Sequence, residues 1–235
     1  MLPIKDNVPT RTFPYVTVAL IAANVAIWLW EFSSGVNDEV LRYGYYPCTV
    51  EGPCVQPASL VPHLPWYEGV FSSMFLHGGW LHIAGNMLFL WIFGNNVEDS
   101  LGHLRFLVWY FVAGIAATAA QTAVTLAFAN DAGASIPNVG ASGAIAGVLG
   151  AYFVLLPRAS VLTAFIIVFF VFLREIPAVW FLGVWILFQL YDGGFELLHP
   201  QSGGGTAFFA HIGGFVFGFV TVRFLVRRPP LRPAW

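Results

Sequence analysis

The sequence is poor in charge. Only 9% of its 235 residues are Asp, Glu, Lys or Arg, whereas a soluble domain usually carries about 25%. The net charge of −2 leaves no excess of basic residues, and this argues against a nucleic-acid-binding protein. Neither a linker nor an internal repeat is visible. We therefore expect a single compact unit that is not an ordinary soluble domain.

Apolar residues are abundant instead. They make up 58% of the chain, and the mean hydropathy is +0.74, so a lipid bilayer is the expected solvent. The segment 1–12 is polar, contains proline and precedes an apolar stretch long enough to span a membrane, which does not fit a cleaved signal. We expect a cytoplasmic tail at 1–12, one membrane domain at 13–226 and a basic cytoplasmic tail at 227–235.

The apolar stretches predict an all-α bundle of six transmembrane helices, because a helix needs about 20 mostly apolar residues to cross a bilayer. The segment 160–173 is expected to lie at the membrane interface or to enter it partly, and two spans in that region would instead give seven. The six predicted spans are 13–31, 80–96, 104–128, 140–156, 176–191 and 206–226.

Basic residues predict the orientation, since cytoplasmic loops are enriched in Lys and Arg. With the N-terminus inside, only Arg42 falls on the outer side. We therefore expect a multi-pass protein of the plasma (inner) membrane with both termini cytoplasmic. The basic residues on the predicted inner side are Lys5, Arg11, Arg105, Arg158, Arg174, Arg223, Arg227, Arg228 and Arg232.

The long loop between the first two predicted spans, 33–79, is rich in aromatic residues and should fold onto the outer leaflet. It holds both cysteines of the chain, Cys48 and Cys54. Disulfides persist on the non-cytoplasmic side of a membrane, so we expect a bridge between them. Two unpaired thiols and a zinc site are the alternatives, although only His63 is near enough in sequence to add a ligand.

Polar side chains inside predicted spans indicate function, because they are costly there. The span interiors hold no Asp, Glu or Lys, but they contain His82, Asn86, Ser142 and His211. His82 and Asn86 share a helix face; they form either two donors aimed at one point in a polar cavity or a pair that holds helices together. Spans two, four and six run in the same direction, so these four residues should lie at one depth in the outer half of the bilayer. We expect the other polar residues to make helix–helix hydrogen bonds; these are Asn24, Gln121 and Gln189.

Ser142 stands at the start of the fourth span, where free backbone N–H groups can stabilise negative charge. Gly143 and Gly147 form a small-residue face on that span, and Gly214 and Gly218 form another on the sixth. Such faces let helices approach closely, which would bring Ser142 to His211 as nucleophile and base. Generic helix packing is the alternative interpretation, and Gly140 is counted with the packing residues.

Three segments carry a family resemblance: HGGWLHIAGN at 77–86, GASG at 140–143, and AHIGG at 210–214 followed by Gly218. Together they resemble the rhomboid family of intramembrane serine proteases. The resemblance implies a dyad of Ser142 and His211 that forms an acyl-enzyme. It also implies an oxyanion hole built from the Ser142 backbone N–H and the side chains of His82 and Asn86.

The resemblance further implies transmembrane protein substrates, cut in or near their membrane spans at a site open to the outer side. We expect no cofactor, metal or nucleic-acid partner, and the oligomeric state is not predicted. The sequence departs from the family pattern at two places. Ala146 stands where many relatives have an aromatic residue against the catalytic histidine, and Glu68 and Gly69 replace a Trp-Arg pair of the outer loop.

No carboxylate of the predicted spans can orient His211, so we expect a dyad of two residues. We also expect a slow enzyme, because a soluble triad loses about 10⁴ in turnover when its Asp becomes Asn. The glycine-rich segment 192–205 is expected to form either a mobile cap, moving with the fifth span, or an ordinary connection. The alternatives to a protease are an inactive rhomboid-like protein that binds membrane clients and, from another class, a transporter or haem protein using His82 and His211.

Overall fold

The computed structural model describes residues 2–56, 58–167, 169–198 and 207–233. Most of this part of the chain is helical, and it also contains one small β-sheet. The α-helices are α1 (Tyr15–Ser34), α2 (Val36–Tyr43), α3 (Trp66–Ser72), α4 (Trp80–Phe89), α5 (Asn95–Leu101), α6 (His103–Phe128), α7 (Asp131–Ala134), α8 (Ser142–Leu155), α9 (Ala178–Leu198) and α10 (Phe208–Leu225). The strands are β1 (Leu2–Asp6), β2 (Ser160–Ile167) and β3 (Phe170–Pro177).

The predicted membrane helices are present within a residue or two of most of their expected limits. Among the described residues, α1, α6, α9 and α10 are long and apolar enough to cross a membrane. The fourth predicted span is α8, which has only 14 residues. These helices confirm the prediction of a helical multi-pass membrane protein. The first residue of the predicted sixth span, 206, lies outside the described residues.

The second predicted span is divided. Helix α4 continues through a π-helical turn, Leu90–Gly94, into α5. At Gly94 an added Cβ would lie 3.3 Å from Thr17 Oγ1 of α1, so α1 packs closely against this turn. A π-helical turn inserts an extra residue into a helix and redirects the faces on either side of it. The side chains of α5 therefore follow a different face from the one that carries His82 and Asn86 on α4.

Helix α8 lies in the centre of the bundle, against α6 and α10. All ten residues from Gly143 to Tyr152 are buried, and this fits a helix that is apolar on every side. Glycine and alanine make this burial possible. An added Cβ at Gly143 would stand 2.7 Å from the Cβ of Ala117, and one at Gly147 would stand 2.8 Å from the Cβ of Ala113, so α6 and α8 nearly touch.

Residues 160–167 and 170–177 form a β-hairpin, a structure that the prediction of an interfacial or re-entrant segment at 160–173 did not include. Strand β2 pairs antiparallel with β3, from Ser160 opposite Pro177 to Ile167 opposite Phe170. Strand β1 pairs on the other edge of β2. The hairpin is rich in β-branched and aromatic residues, which suit strands, but its pairing with the N-terminus joins residues more than 150 positions apart.

Two buried acids stand at the limits of predicted spans. Glu31 is the last residue of the first span, and Glu98 lies two residues beyond the second. Glu31 of α1 and Glu98 of α5 are both fully buried. Glu98 accepts hydrogen bonds from the backbone N–H groups of Val16 (3.0 Å) and Thr17 (2.8 Å). The Glu98 carboxylate thus satisfies free donors in the first turn of α1 and complements its dipole.

The sheet and the described segments nearest to the two chain ends lie at one end of the bundle. Arg11 pairs with Asp99 at 3.1 Å, and the backbone N–H groups of Arg227 and Arg228 donate to the carbonyl of Ser100. Asp6 of β1 accepts hydrogen bonds from Tyr152 (2.6 Å), near the end of α8, and from Asn96 (2.5 Å). Because helices α8 and α10 both end here, their first residues lie at the opposite end.

Candidate active site

Ser142 and His211 lie at corresponding depths, in the first turns of α8 and α10. The Ser142 Oγ is 2.8 Å from the His211 Nε2, a hydrogen-bonding distance that suits a nucleophile and its base. Both side chains are partly exposed. Two of the four residues that were predicted to share one depth, Ser142 and His211, are therefore in direct contact.

Two glycines of α10 allow this contact. An added Cβ at Gly214 would overlap the carbonyl oxygen of Gly143, and one at Gly218 would overlap that of Gly147. No larger residue fits either position without moving a helix. The backbones of α8 and α10 therefore touch, as small residues permit in membrane bundles, and the separation of Ser142 and His211 follows from that approach.

Gly140 has a different environment from the packing glycines. It precedes α8 and has φ +122°, a conformation that a residue with a Cβ rarely adopts. An added Cβ here would stand 2.7 Å from His82 Nε2 and 3.5 Å from Ser142 Oγ. Gly140 therefore leaves a space that borders the serine and one histidine nitrogen, rather than packing one helix against another.

The hydrogen bonding of His82 indicates which nitrogen carries its proton. The backbone N–H of Gly78 donates to His82 Nδ1 at 3.3 Å. Nδ1 is then the acceptor, so a neutral His82 holds its proton on Nε2. That N–H borders the space beside Gly140 and can donate to an oxygen placed there.

Asn86 lies one turn after His82 on α4 and is buried. Its Nδ2 has no hydrogen-bond partner within the described part of the chain. A buried donor without a partner is costly and calls for an explanation. Asn86 and His82 share a helix face because they are four residues apart, so a ligand oxygen near His82 would be a natural acceptor for Asn86.

The turn before α4 is anchored by a buried acid. The Glu31 carboxylate accepts the backbone N–H of His77 at 3.2 and 3.3 Å from its two oxygens. The His77 ring contacts that of His82, with centroids 5.1 Å apart. Burial, with His82 nearby, lowers the pKa of His77 to about 4, so His77 is neutral at ordinary pH.

Two cavities adjoin these residues. The larger, of about 220 Å³, borders His82 and is lined mainly by residues of α6 and of the segment 129–139 that follows it, together with Glu196 of α9 and Phe209 of α10. The smaller, of about 40 Å³, borders Ser142 and is also lined by Ser73, Gln121 and Asn138. A space of this size with several polar walls can hold a water molecule.

The family model for the Rhomboid domain matches residues 65–228, well over half of the chain. The chain belongs to the rhomboid family. The match includes all the helices that carry the site. This settles the family, and the sequence resemblance had pointed to it through three short segments.

Named relatives agree with this family. The chain is 27% identical to RHOMBOID-like protein 1 of Arabidopsis thaliana over 92% of its own length and 54% of that protein. It is 31% identical to Rhomboid protein 1, mitochondrial, of Saccharomyces cerevisiae over 63% of its length and 39% of that protein. It is 32% identical to Rhomboid protease GluP of Bacillus subtilis over 63% of its length and 25% of that protein. This rhomboid therefore spans about half or less of each of these relatives.

In this rhomboid, α9 supplies two neighbours of His211. Gln189 makes the helix–helix hydrogen bond that was predicted for it without a partner, and Trp185 was missed by the sequence interpretation. His211 Nδ1 lies 2.7 Å from Gln189 Oε1, and the Trp185 ring lies beside the imidazole at a centroid distance of 5.8 Å. Ala146, where many relatives have an aromatic residue, is fully buried. Two signals were present in the sequence: Gln189 is a polar residue in a predicted span, and Trp185 lies four residues earlier on the same helix face.

Helix–helix hydrogen bonds were also predicted for Gln121 and Asn24, and of these two only Gln121 makes one within the described part of the chain. Gln121 Oε1 accepts the backbone N–H of Ala210 at 3.1 Å, which links α6 to α10. Asn24 instead donates to the Leu20 carbonyl within its own helix, so the prediction of a helix–helix bond was wrong for this residue.

The loop between α1 and α4, which was predicted to lie on the outer side, contains several short helices. Cys48 and Cys54 are joined by a disulfide, and Cys48 is buried with Tyr46, Ala58 and Ala134.

The segment 192–205 divides at residue 198. Residues 192–198 continue α9, so Asp192 and Glu196 are helical rather than part of a loop, and 199–205 lie outside the described residues.

Proposed function

We propose that this rhomboid is an intramembrane serine endopeptidase that cleaves membrane proteins in or near their transmembrane segments. The observation that carries the proposal is the 2.8 Å contact between Ser142 Oγ and His211 Nε2. Rhomboid protease GluP, a relative at 32% identity, is named as a protease, which supports the same reaction class.

The reaction follows from the two side chains. His211 Nε2 accepts the Ser142 hydroxyl proton as Oγ attacks the substrate carbonyl. The proton then passes to the leaving amine, and an acyl-enzyme remains. A water molecule, activated by the same imidazole, hydrolyses that ester. The small polar cavity beside Ser142 is a suitable place for this water.

The oxyanion of the tetrahedral intermediate needs donors already in position. The space left by Gly140 is within hydrogen-bonding range of His82 Nε2 and close to Ser142 Oγ. The unpartnered Nδ2 of Asn86 and the Ser142 backbone N–H at the start of α8 supply further donors. These features support an oxyanion hole made by Ser142, His82 and Asn86.

The larger cavity beside His82 fits a substrate side chain or a short extended segment. Its apolar walls suit a segment that leaves a membrane span. We propose that the site opens to the outer side of the plasma membrane and that both chain termini are cytoplasmic. The gathering of basic Arg11, Arg227 and Arg228 at the opposite end of the bundle supports this orientation.

An inactive rhomboid-like protein that binds membrane clients is the second candidate. The same cavity beside His82 would serve that function. The contact between Ser142 and His211 favours the protease. A transporter or haem protein has less support, because the His211 nitrogens already bond Ser142 and Gln189.

The test is labelling with a fluorophosphonate, together with cleavage of a panel of transmembrane substrates. Wild-type protein should be labelled and should cleave at least one substrate. Ser142→Ala and His211→Ala should do neither. Ser33→Ala is the matched control, because the Ser33 hydroxyl is exposed and donates to the Trp30 carbonyl of its own helix. Unlabelled, well-folded wild-type protein that still binds membrane clients would favour the inactive alternative.

A further inference from the structure

The base of the dyad has a second hydrogen-bond partner, Gln189. The His211 Nδ1 is 2.7 Å from Gln189 Oε1, on the ring edge opposite the nitrogen that faces Ser142. An amide oxygen only accepts hydrogen bonds. His211 Nδ1 must therefore carry the proton of the neutral ring, which leaves the lone pair on Nε2 for the serine hydroxyl.

We propose that Gln189 is a positioning residue that holds His211 in the tautomer and orientation required of the base. This inference rests on the proposed protease function and deepens it. A buried Asp has this function in soluble serine triads. The described part of the chain places the neutral Gln189 oxygen, and no carboxylate, at this nitrogen.

Helix α9 is held so that Gln189 reaches the imidazole. Trp185, one turn earlier, lies against the His211 ring, with centroids 5.8 Å apart. At Gly193, one turn later, an added Cβ would stand 3.3 Å from Phe208 Cβ and 3.6 Å from Ile212 Cδ1. The contacts one turn before and one turn after Gln189 therefore hold α9 close to the first turns of α10.

A neutral partner has a specific chemical consequence. It fixes the tautomer without adding the negative charge that stabilises the imidazolium formed during attack. Removing it should slow the chemical step and leave substrate binding nearly unchanged. Gln189→Leu should lower kcat by about 10- to 100-fold, the range typical when the partner that fixes a metal-bound imidazole is lost.

The kinetic test compares Gln189→Leu, Gln189→Glu and Phe188→Leu. The Gln189→Glu variant keeps an oxygen acceptor, so its kcat should stay within about tenfold of wild type. The kcat of Gln189→Leu should fall further. Phe188 is an exposed residue of the same helix, and its variant should match wild type. KM should change less than twofold in all three. A Leu variant with wild-type kcat, or a loss that appears only in KM, would refute the positioning function.

A second measurement needs no substrate. Nitrogen-15 NMR of labelled histidine, with the His211 signal identified by its loss in His211→Ala, reports which ring nitrogen is protonated. Wild type should show the Nδ1–H form, and Gln189→Leu a mixture of both forms. A wild-type ring protonated on Nε2 would overturn the inference even in an active enzyme. If Ser142 is unreactive while the Nδ1–H form is present, the protease proposal fails and the Gln189 contact stands.

Discussion

Gln189 Oε1 and Ser142 Oγ lie at opposite edges of the His211 ring, at 2.7 Å from Nδ1 and 2.8 Å from Nε2. Three helices, α8, α9 and α10, thus meet at one imidazole. A change in the packing of any of them alters the geometry of the dyad. The site is therefore expected to respond strongly to changes in helix packing, including changes at residues that touch no substrate.

Substitution of the proposed oxyanion donor Asn86 should lower the activity without lowering the free energy of unfolding. Asn86→Ala should lower kcat by about 10²–10³, the usual cost of one lost donor. Its free energy of unfolding should stay the same or rise, since the Asn86 Nδ2 has no partner in the resting protein. Turnover of a transmembrane substrate and thermal unfolding in detergent check both statements.

His82→Ala is the companion variant. It should lose a similar factor in kcat, and it should also lose some stability because His82 accepts the Gly78 N–H and contacts His77. If Asn86→Ala destabilised the protein as much as His82→Ala does, the Asn86 side chain would have to make a stabilising hydrogen bond in the resting protein.

The contact between α8 and α10 should tolerate no side chain at Gly218. Gly218→Ala places a Cβ on the Gly147 carbonyl oxygen. Overpacking should lower the free energy of unfolding by about 1–3 kcal/mol, and fluorophosphonate labelling of Ser142 should slow as the helices separate. Gly85→Ala is the matched control, since an added Cβ there meets nothing within 4 Å. Equal stability of the two variants would contradict the close approach.

Asp6 should give the protein a pH-dependent stability. Burial raises the pKa of Asp6 from 3.8 to about 6, although the Tyr152 hydrogen bond opposes the shift. The folded protein then binds this proton more tightly than the unfolded chain does. Stability should therefore rise as the pH falls through about 6 toward 4, and the ionised carboxylate should cost about 3 kcal/mol at pH 8.

Asp6→Asn isolates this contribution. The variant should be more stable than wild type at pH 8 and equal to it near pH 4, as measured by thermal unfolding across that range. Other titrating groups affect both proteins alike and cancel in the difference. A variant less stable than wild type at pH 8 would show that the ionised carboxylate is favourable.

The Cys48–Cys54 disulfide should contribute modestly to stability. It closes a loop of six residues, and a short loop loses little entropy in the unfolded chain, so the expected contribution is about 2 kcal/mol. Reductant should lower the melting temperature of wild type and have no effect on the double variant Cys48→Ser/Cys54→Ser. A wild-type melting temperature that is insensitive to reductant would contradict this contribution.

Much of the fold could be predicted because the requirements of a bilayer are local. A membrane span must be apolar over a fixed length, and α6 and α10 begin within two residues of their predicted limits. The depth of Ser142 and His211 was predictable for the same reason, since it depends only on position along a span. The glycines Gly214 and Gly218 indicated which helices could touch.

The sequence alone thus determined the membrane class, the order of the spans and the four residues expected at one depth. Only the tertiary structure decided what surrounds them. The contact of Gln189 with His211, the buried carboxylates of Glu31 and Glu98, and the pairing of β1 with β2 join positions that no local pattern connects. Their partners are set by the rotation and tilt of whole helices, which depend on packing across the entire bundle.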